Sequence, residues 1–149
     1  MECFSCKQKS GEIQISPSPA IYSDSMWRVE HAYPTSLKGW LVIVLQRHAE
    51  ALHELTKEEW ADLADIQSKL LLALHQVTKS KKEYIAQFAE KEGFQHIHFH
   101  IIPRMDTILD DYKGPNIFKH LKVTREEAVP AKELSEFCNL LIKSYNQAL

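Results

Sequence analysis

The chain has 149 residues, 44% of them apolar and 26% charged, which suits one domain with its own core and shows no bias toward disorder. A formal net charge of −2 and a pI near 6.4 argue against a general nucleic-acid or anionic-membrane binder, while leaving room for a small basic pocket. The longest apolar run, Trp40 to Leu45, is far short of a membrane span, and Met1-Glu2-Cys3 does not open a signal peptide, so a cytoplasmic protein is expected.

The first 20 residues read as irregular: Cys3 and Cys6, a turn-like Lys9-Ser10-Gly11, then Ser16-Pro17-Ser18-Pro19, extended around its prolines. Ile21-Tyr22 and Met26-Trp27-Arg28-Val29 predict a hairpin turning at Ser23-Asp24-Ser25. Trp40 to Leu45 is an unbroken apolar run of strand length, so it should be a central, buried strand. Thr56 and Glu59 have capping-box spacing, and Leu55 with Trp60 fits a hydrophobic staple. Trp60, Leu63, Ile66, Leu70 and Leu74 then recur every three or four residues, predicting a helix to about Val77. Strands are expected over Tyr84 to Ala89 and His96 to Ile102, the second stopped by Pro103. Residues 104–124 read as a long connection. A last helix starting at Pro130 would bury Leu134, Phe137, Leu141 and Tyr145. Trp27, Trp40, Trp60 and Cys138 read as core residues, and His53 and His75 as packing or surface residues. Strands, long helix, strands and helix in that order give the α+β class with a mainly antiparallel sheet.

Three of the eight histidines fall within five positions, in His96-Ile97-His98-Phe99-His100. Alternation at period two puts the three imidazoles on one face of a strand, at intervals of ~7 Å. Imidazole near neutral pH can be a nucleophile, a general acid or base, a metal ligand or an anion partner. On an uninterrupted strand the outer two lie ~13 Å apart, too far to share one ion with the third, so substrate work by at least one is favoured. Cys3-x-x-Cys6 has the spacing of two metal ligands from one loop, and thiolates in a reducing compartment favour zinc; an incidental or redox-active pair is the alternative.

His-x-His-x-His followed by two apolar residues and Pro103-Arg104 resembles the signature of the histidine triad superfamily of nucleotide hydrolases and transferases. Trp40-Leu41-Val42-Ile43 through Arg47-His48, then Leu52, Leu55-Thr56 and Glu59, is similar to the family's central strand and helix start. The resemblance covers roughly residues 1–104 of a single domain spanning 1–149, the rest being a loop and the C-terminal helix. It implies a homodimer that binds a nucleoside phosphate, with no organic cofactor. It also implies that His98 attacks the α-phosphorus to form a covalent nucleotidyl-imidazole and that His100 contacts phosphate oxygens, with His96 completing the triad. Family members with the N-terminal cysteine pair complete a structural zinc site with the positions that are His48 and His96 here. The ligand set implied is therefore Cys3, Cys6, His48 and His96.

The pattern also departs from the family. Gly93-Phe94-Gln95 abuts His96, so the phosphate-binding loop before the triad is shorter. Gln87, Gln95 and Arg104 are the candidate substrate-binding residues. The usual ribose-binding Asp or Asn would fall near His31 or Ala32, and neither matches. Lys113-Gly114-Pro115-Asn116 either lines the pocket or is a surface loop. Dinucleoside polyphosphate hydrolysis leads narrowly over nucleoside phosphoramidate hydrolysis. A nucleotidyl transferase, a nucleotide-binding regulatory module with negligible turnover and a metal-sensing histidine face are the alternatives.

Overall fold

A computed structural model describes residues 2–148. Its strands are β1 (Tyr22–Ser23), β2 (Trp27–His31), β3 (Leu41–Leu45), β4 (Lys82–Ala86) and β5 (His98–Arg104). They form one antiparallel sheet in the order β1-β2-β3-β5-β4, so the continuous apolar run of β3 takes the middle place, paired on both sides. The helices are α1 (Phe4–Lys9), α2 (Lys57–Thr78) and α3 (Ala131–Gln147).

Helix α2 begins where the capping box requires. The Glu59 amide donates to Thr56 Oγ1 at 3.1 Å, and Glu59 Oε1 accepts from the Thr56 amide at 2.9 Å. Helix α3 follows Pro130, whose fixed φ suits the turn into a helix. Both helices cover one face of the sheet. Trp27 and Val29 of β2, Leu41, Ile43 and Leu45 of β3, and Phe99 and Ile101 of β5 meet Leu63, Ile66, Leu70, Phe137 and Leu141 there. Alternation along the strands sends Arg28, Glu30, Val42, Val44, His98 and His100 to the opposite face, where they line a cavity.

Several expectations are corrected. Residues 4–9 are helical rather than irregular: Cys3 is the N-cap and its Sγ accepts the Cys6 amide at 3.4 Å. Trp60 is 42% exposed and edge-on to Phe99, so it is not a core residue and the buried stripe of α2 begins at Leu63. The strand expected over Tyr84 to Ala89 is β4, which ends at Ala86; Ala89 has a φ of 53°, which turns the chain away. Pro103 does not stop β5. Pairing with β3 ends at Leu41↔Ile101, and Pro103 lies beyond it, flanked by Glu83 of β4. The 104–124 connection holds two short 3-10 segments, Asp110–Tyr112 and Gly114–Leu121. Among the described residues no helix is long and apolar enough to cross a membrane.

Candidate active site and metal cluster

The three histidines do not share one strand. β5 begins at His98, and His96 sits in a bend before it. Leu45 N donates to Ile97 O at 3.2 Å, so Leu45 and Ile97 would be the next hydrogen-bonded pair of the β3–β5 ladder. The reciprocal bond is missing because His96 Nε2 takes the Leu45 carbonyl instead, at 2.6 Å, and the Ile97 amide turns to Ala49 O at 2.9 Å. A side chain thus replaces a rung of the sheet and swings His96 out of alternation.

That swing delivers His96 to the cysteines. The ligand atoms of Cys3, Cys6, His48 and His96 all lie within 4.8 Å of one another. His96 Nδ1 is 3.6 Å from both sulfurs, and His48 Nδ1 is 3.4 Å from Cys6 Sγ. A tetrahedral ion with bonds of ~2.3 Å to sulfur and ~2.0 Å to nitrogen would hold S and N ~3.5 Å apart, so the set fits such an ion. The tautomers agree. His96 Nε2–H donates to a carbonyl and His48 Nε2–H donates to Glu50 Oε2 at 2.9 Å, which leaves each Nδ1 lone pair facing the thiols. Arg47, beside His48, is held by the capping carboxylate: its Nε and Nη2 each donate to Glu59 at 2.9 Å. The Arg47 guanidinium keeps the Glu59 carboxyl below its ordinary range.

His98 and His100 face the other way, into a cavity of about 470 Å³, with ring centroids 5.0 Å apart. His98 Nδ1 lies 2.8 Å from the His96 carbonyl, which can only accept, so Nδ1 carries the proton and Nε2 presents a free lone pair. His100 is the reverse. The Trp40 indole Nε1–H, which can only donate, reaches His100 Nδ1 at 3.0 Å. The neutral His100 ring therefore carries its proton on Nε2. Phe118 stands edge-on to both Trp40 and His100, at 5.0 Å, and completes an aromatic enclosure. Burial lowers both pKa values, that of His98 against the pull of the His96 carbonyl and that of His100 to about 3 with help from its neighbour. One ring is thus arranged to give an electron pair and the next to give a hydrogen bond.

Of the other candidates, Gln87, Gln95 and Arg104 lie outside the cavity wall. Gln87 follows the end of β4 and is not part of the cavity wall, whereas the adjacent Phe88 is. Gln95 borders the small hollow beside Cys3, His48 and His96. Arg104 ends β5 outside the cavity, its Nε buried without a partner among the described residues. Lys113 to Asn116 are not part of the wall, but Phe118, Leu121 and Lys122 of the same segment are. His31 and Ala32, near the expected ribose position, do border the cavity, but the His31 ring is committed: the residue is 1% exposed, its Nδ1–H donates to Ala32 O at 2.8 Å and its Nε2 accepts from Gly39 N at 2.9 Å. It braces the core beside Phe137. Gln8, Arg28, Glu30 and the Trp40 indole were not singled out as site residues from the sequence. The signal was present in β2, where charged residues alternate with core residues, but such a pattern ordinarily marks a solvated face.

Comparison with known proteins identifies the fold and the family. The chain is 29% identical over 109 residues to an adenosine 5′-monophosphoramidase of Schizosaccharomyces pombe, covering 70% of this chain and 75% of the relative. A hypothetical histidine triad nucleotide-binding protein of Sulfolobus tokodaii shares the fold with a TM-score of 0.71 at 18% identity, covering 97% of this chain and 93% of that one. A zinc-bound histidine triad family protein of Mycobacterium smegmatis does so at 0.67 and 20% identity, covering 97% and 94%. Residues 15–107, more than half the chain, match the HIT domain, so the chain belongs to the HIT family.

Proposed function

We propose that this chain hydrolyses a nucleoside 5′-phosphate derivative through a nucleotidyl-histidine intermediate on His98. The observation that carries this reading is the bond from His98 Nδ1–H to the His96 carbonyl, which leaves Nε2 as a free nucleophile in the cavity. The Nε2 lone pair attacks the α-phosphorus, the bond from phosphorus to the leaving group breaks, and the leaving group departs with a proton taken from solvent, which the water of the next half-reaction gives back. Water then attacks the same phosphorus, releasing the nucleoside monophosphate and restoring neutral imidazole. His100 Nε2–H donates to a phosphate oxygen as charge builds there.

A cavity of about 470 Å³ suits one nucleotide, which favours a small leaving group, and the S. pombe relative is a phosphoramidase. A phosphoramidate is therefore preferred to a dinucleoside polyphosphate, whose second nucleoside would lie outside the cavity. Cys3, Cys6, His48 and His96 hold a zinc ion in this reading, supported by the tetrahedral fit and the tautomers. Four protein ligands leave it no open position, so its chemistry is to crosslink the N-terminal arm to the sheet.

The test is chromatographic product analysis with adenosine and guanosine phosphoramidates and, in parallel, diadenosine tetraphosphate, using His98→Ala as control. Turnover that disappears in the variant supports the reading. Tight nucleotide binding without turnover of any of the three would replace it with a binding module.

A further inference from the structure

The cavity holds one polar cluster that the phosphate chemistry does not use. All five residues of β2 are buried, two of them charged, and both charges face the cavity. Arg28 is 7% exposed; its Nε donates to Glu30 Oε1 at 3.0 Å and its Nη2 to the Ser5 carbonyl at 3.2 Å. Gln8 of α1 adds a second bond to the same Glu30 Oε1, at 2.6 Å. Three hydrogen-bonding atoms are left over. Arg28 Nη1 and Gln8 Oε1 are buried and find no partner among the described residues. Among the described residues both bonds to the Glu30 carboxylate fall on Oε1, which leaves Oε2 able to accept. Unsatisfied buried polar atoms are costly and call for a partner.

The leftover set is one donor atom and two acceptor atoms, so the edge that engages all three offers two donors and one acceptor. Among nucleobases, guanine presents that pattern: N1–H and the 2-amino group donate, and O6 accepts. Adenine offers one donor beside one acceptor on the same edge.

The position suits a base rather than a sugar. The sheet register places Arg28, Val44 and His98 in one row, and Glu30, Val42 and His100 in the next. The charged pair thus stands two strand spacings, ~10 Å, from the histidines that would hold the phosphate. In a nucleotide the sugar lies between phosphorus and base, so the base reaches furthest. Tyr33, Pro34 and Phe94, in the same wall, supply flat apolar surface for a ring.

We propose that Gln8, Arg28 and Glu30 form a base-recognition subsite that selects guanine over adenine. This deepens the nucleotide-hydrolase reading and rests on it. It also gives α1 a role in specificity, since Gln8 reaches Glu30 only while the arm is docked.

The test is calorimetric titration of the metal-loaded protein with GMP, IMP, AMP and 2′-deoxy-GMP, repeated on Glu30→Gln and Gln8→Ala. The subsite predicts GMP binding ~10-fold or more tighter than AMP, because a site built for hydrogen bonds rejects a ligand that leaves them unmade. IMP, lacking the 2-amino donor, falls between. The GMP to AMP ratio collapses to within about twofold in Glu30→Gln and falls by less in Gln8→Ala, a half-buried position that keeps the test available if the first variant does not fold. Equal binding of GMP and AMP, or a ratio that survives both substitutions, overturns the proposal. A loss confined to 2′-deoxy-GMP overturns it too, and assigns Glu30 to the sugar. Turnover of adenosine and guanosine phosphoramidates at equal efficiency would sink the subsite and leave the hydrolase standing, whereas failure to bind any nucleotide removes both.

Discussion

His96 and His98 stand two residues apart and do opposite work. His96 turns Nδ1 to two thiols and ties Nε2 to the Leu45 carbonyl, so both nitrogens are committed to holding the chain together. His98 ties down only Nδ1, to the backbone of His96, and leaves Nε2 unbonded among the described residues, in the wall of the cavity. The difference lies in the second nitrogen of each ring. It also couples the two regions, because the carbonyl that sets the tautomer of His98 belongs to a residue whose ring lies in the Cys3–Cys6 cluster.

The sharpest way to break this contrast is His98→Ala. Removing the proposed nucleophile should cut turnover by about 10⁴-fold or more while metal content and melting temperature stay near those of the parent chain. A fall of less than about tenfold would put the nucleophile elsewhere.

His31 supplies a control, since both its nitrogens are satisfied inside the core and burial lowers its pKa to about 4 from the ordinary 6.5. The unfolded chain binds this proton first, so stability falls as pH drops from about 6.5 toward 4. The full effect is roughly 3 kcal/mol, and it appears as a falling melting temperature in scans across that window. A flat profile from pH 7 to 4.5 would contradict the buried, neutral assignment.

Cys6→Ser tests the coupling. Loss of one thiolate should lower zinc content below one per chain, and turnover should drop about 10–100-fold, because His98 loses the fixed carbonyl behind it rather than its own ring. Metal analysis alongside kinetics checks both halves, and full activity in metal-free protein would uncouple them. The mildest change is Trp40→Phe. It removes the donor that fixes the tautomer of His100, and kcat should fall about tenfold with KM little changed. An unchanged kcat would show that His100 does not need that donor.

Much of the fold was legible in the sequence because its signals are local. The run from Trp40 to Leu45, the Thr56–Glu59 capping box and the stripe of α2 from Leu63 onward each depend on neighbours a few residues away. The departure of His96 was hidden because it depends on a contact across 51 residues, in which a ring displaces a backbone donor from the Leu45 carbonyl. The short helix α1 was hidden for a similar reason. It is docked by Phe4, whose amide donates to Gly93 O at 3.0 Å and whose ring fills the space a side chain at Gly93 would occupy. His98 and His100 were visible as a pair by alternation, but the groups that set their tautomers, the His96 carbonyl and the Trp40 indole, become apparent only when the strands are assembled.

The central claim is that His98 Nε2 forms a covalent bond to the α-phosphorus. The most direct measurement is intact mass of the protein, quenched in alkali within milliseconds of mixing with a nucleoside phosphoramidate, since the histidyl adduct is labile to acid. The account predicts a transient mass increase of one nucleotidyl group, mapped to His98 and absent from His98→Ala. Steady turnover with no adduct at any time, retained in His98→Ala, would contradict it.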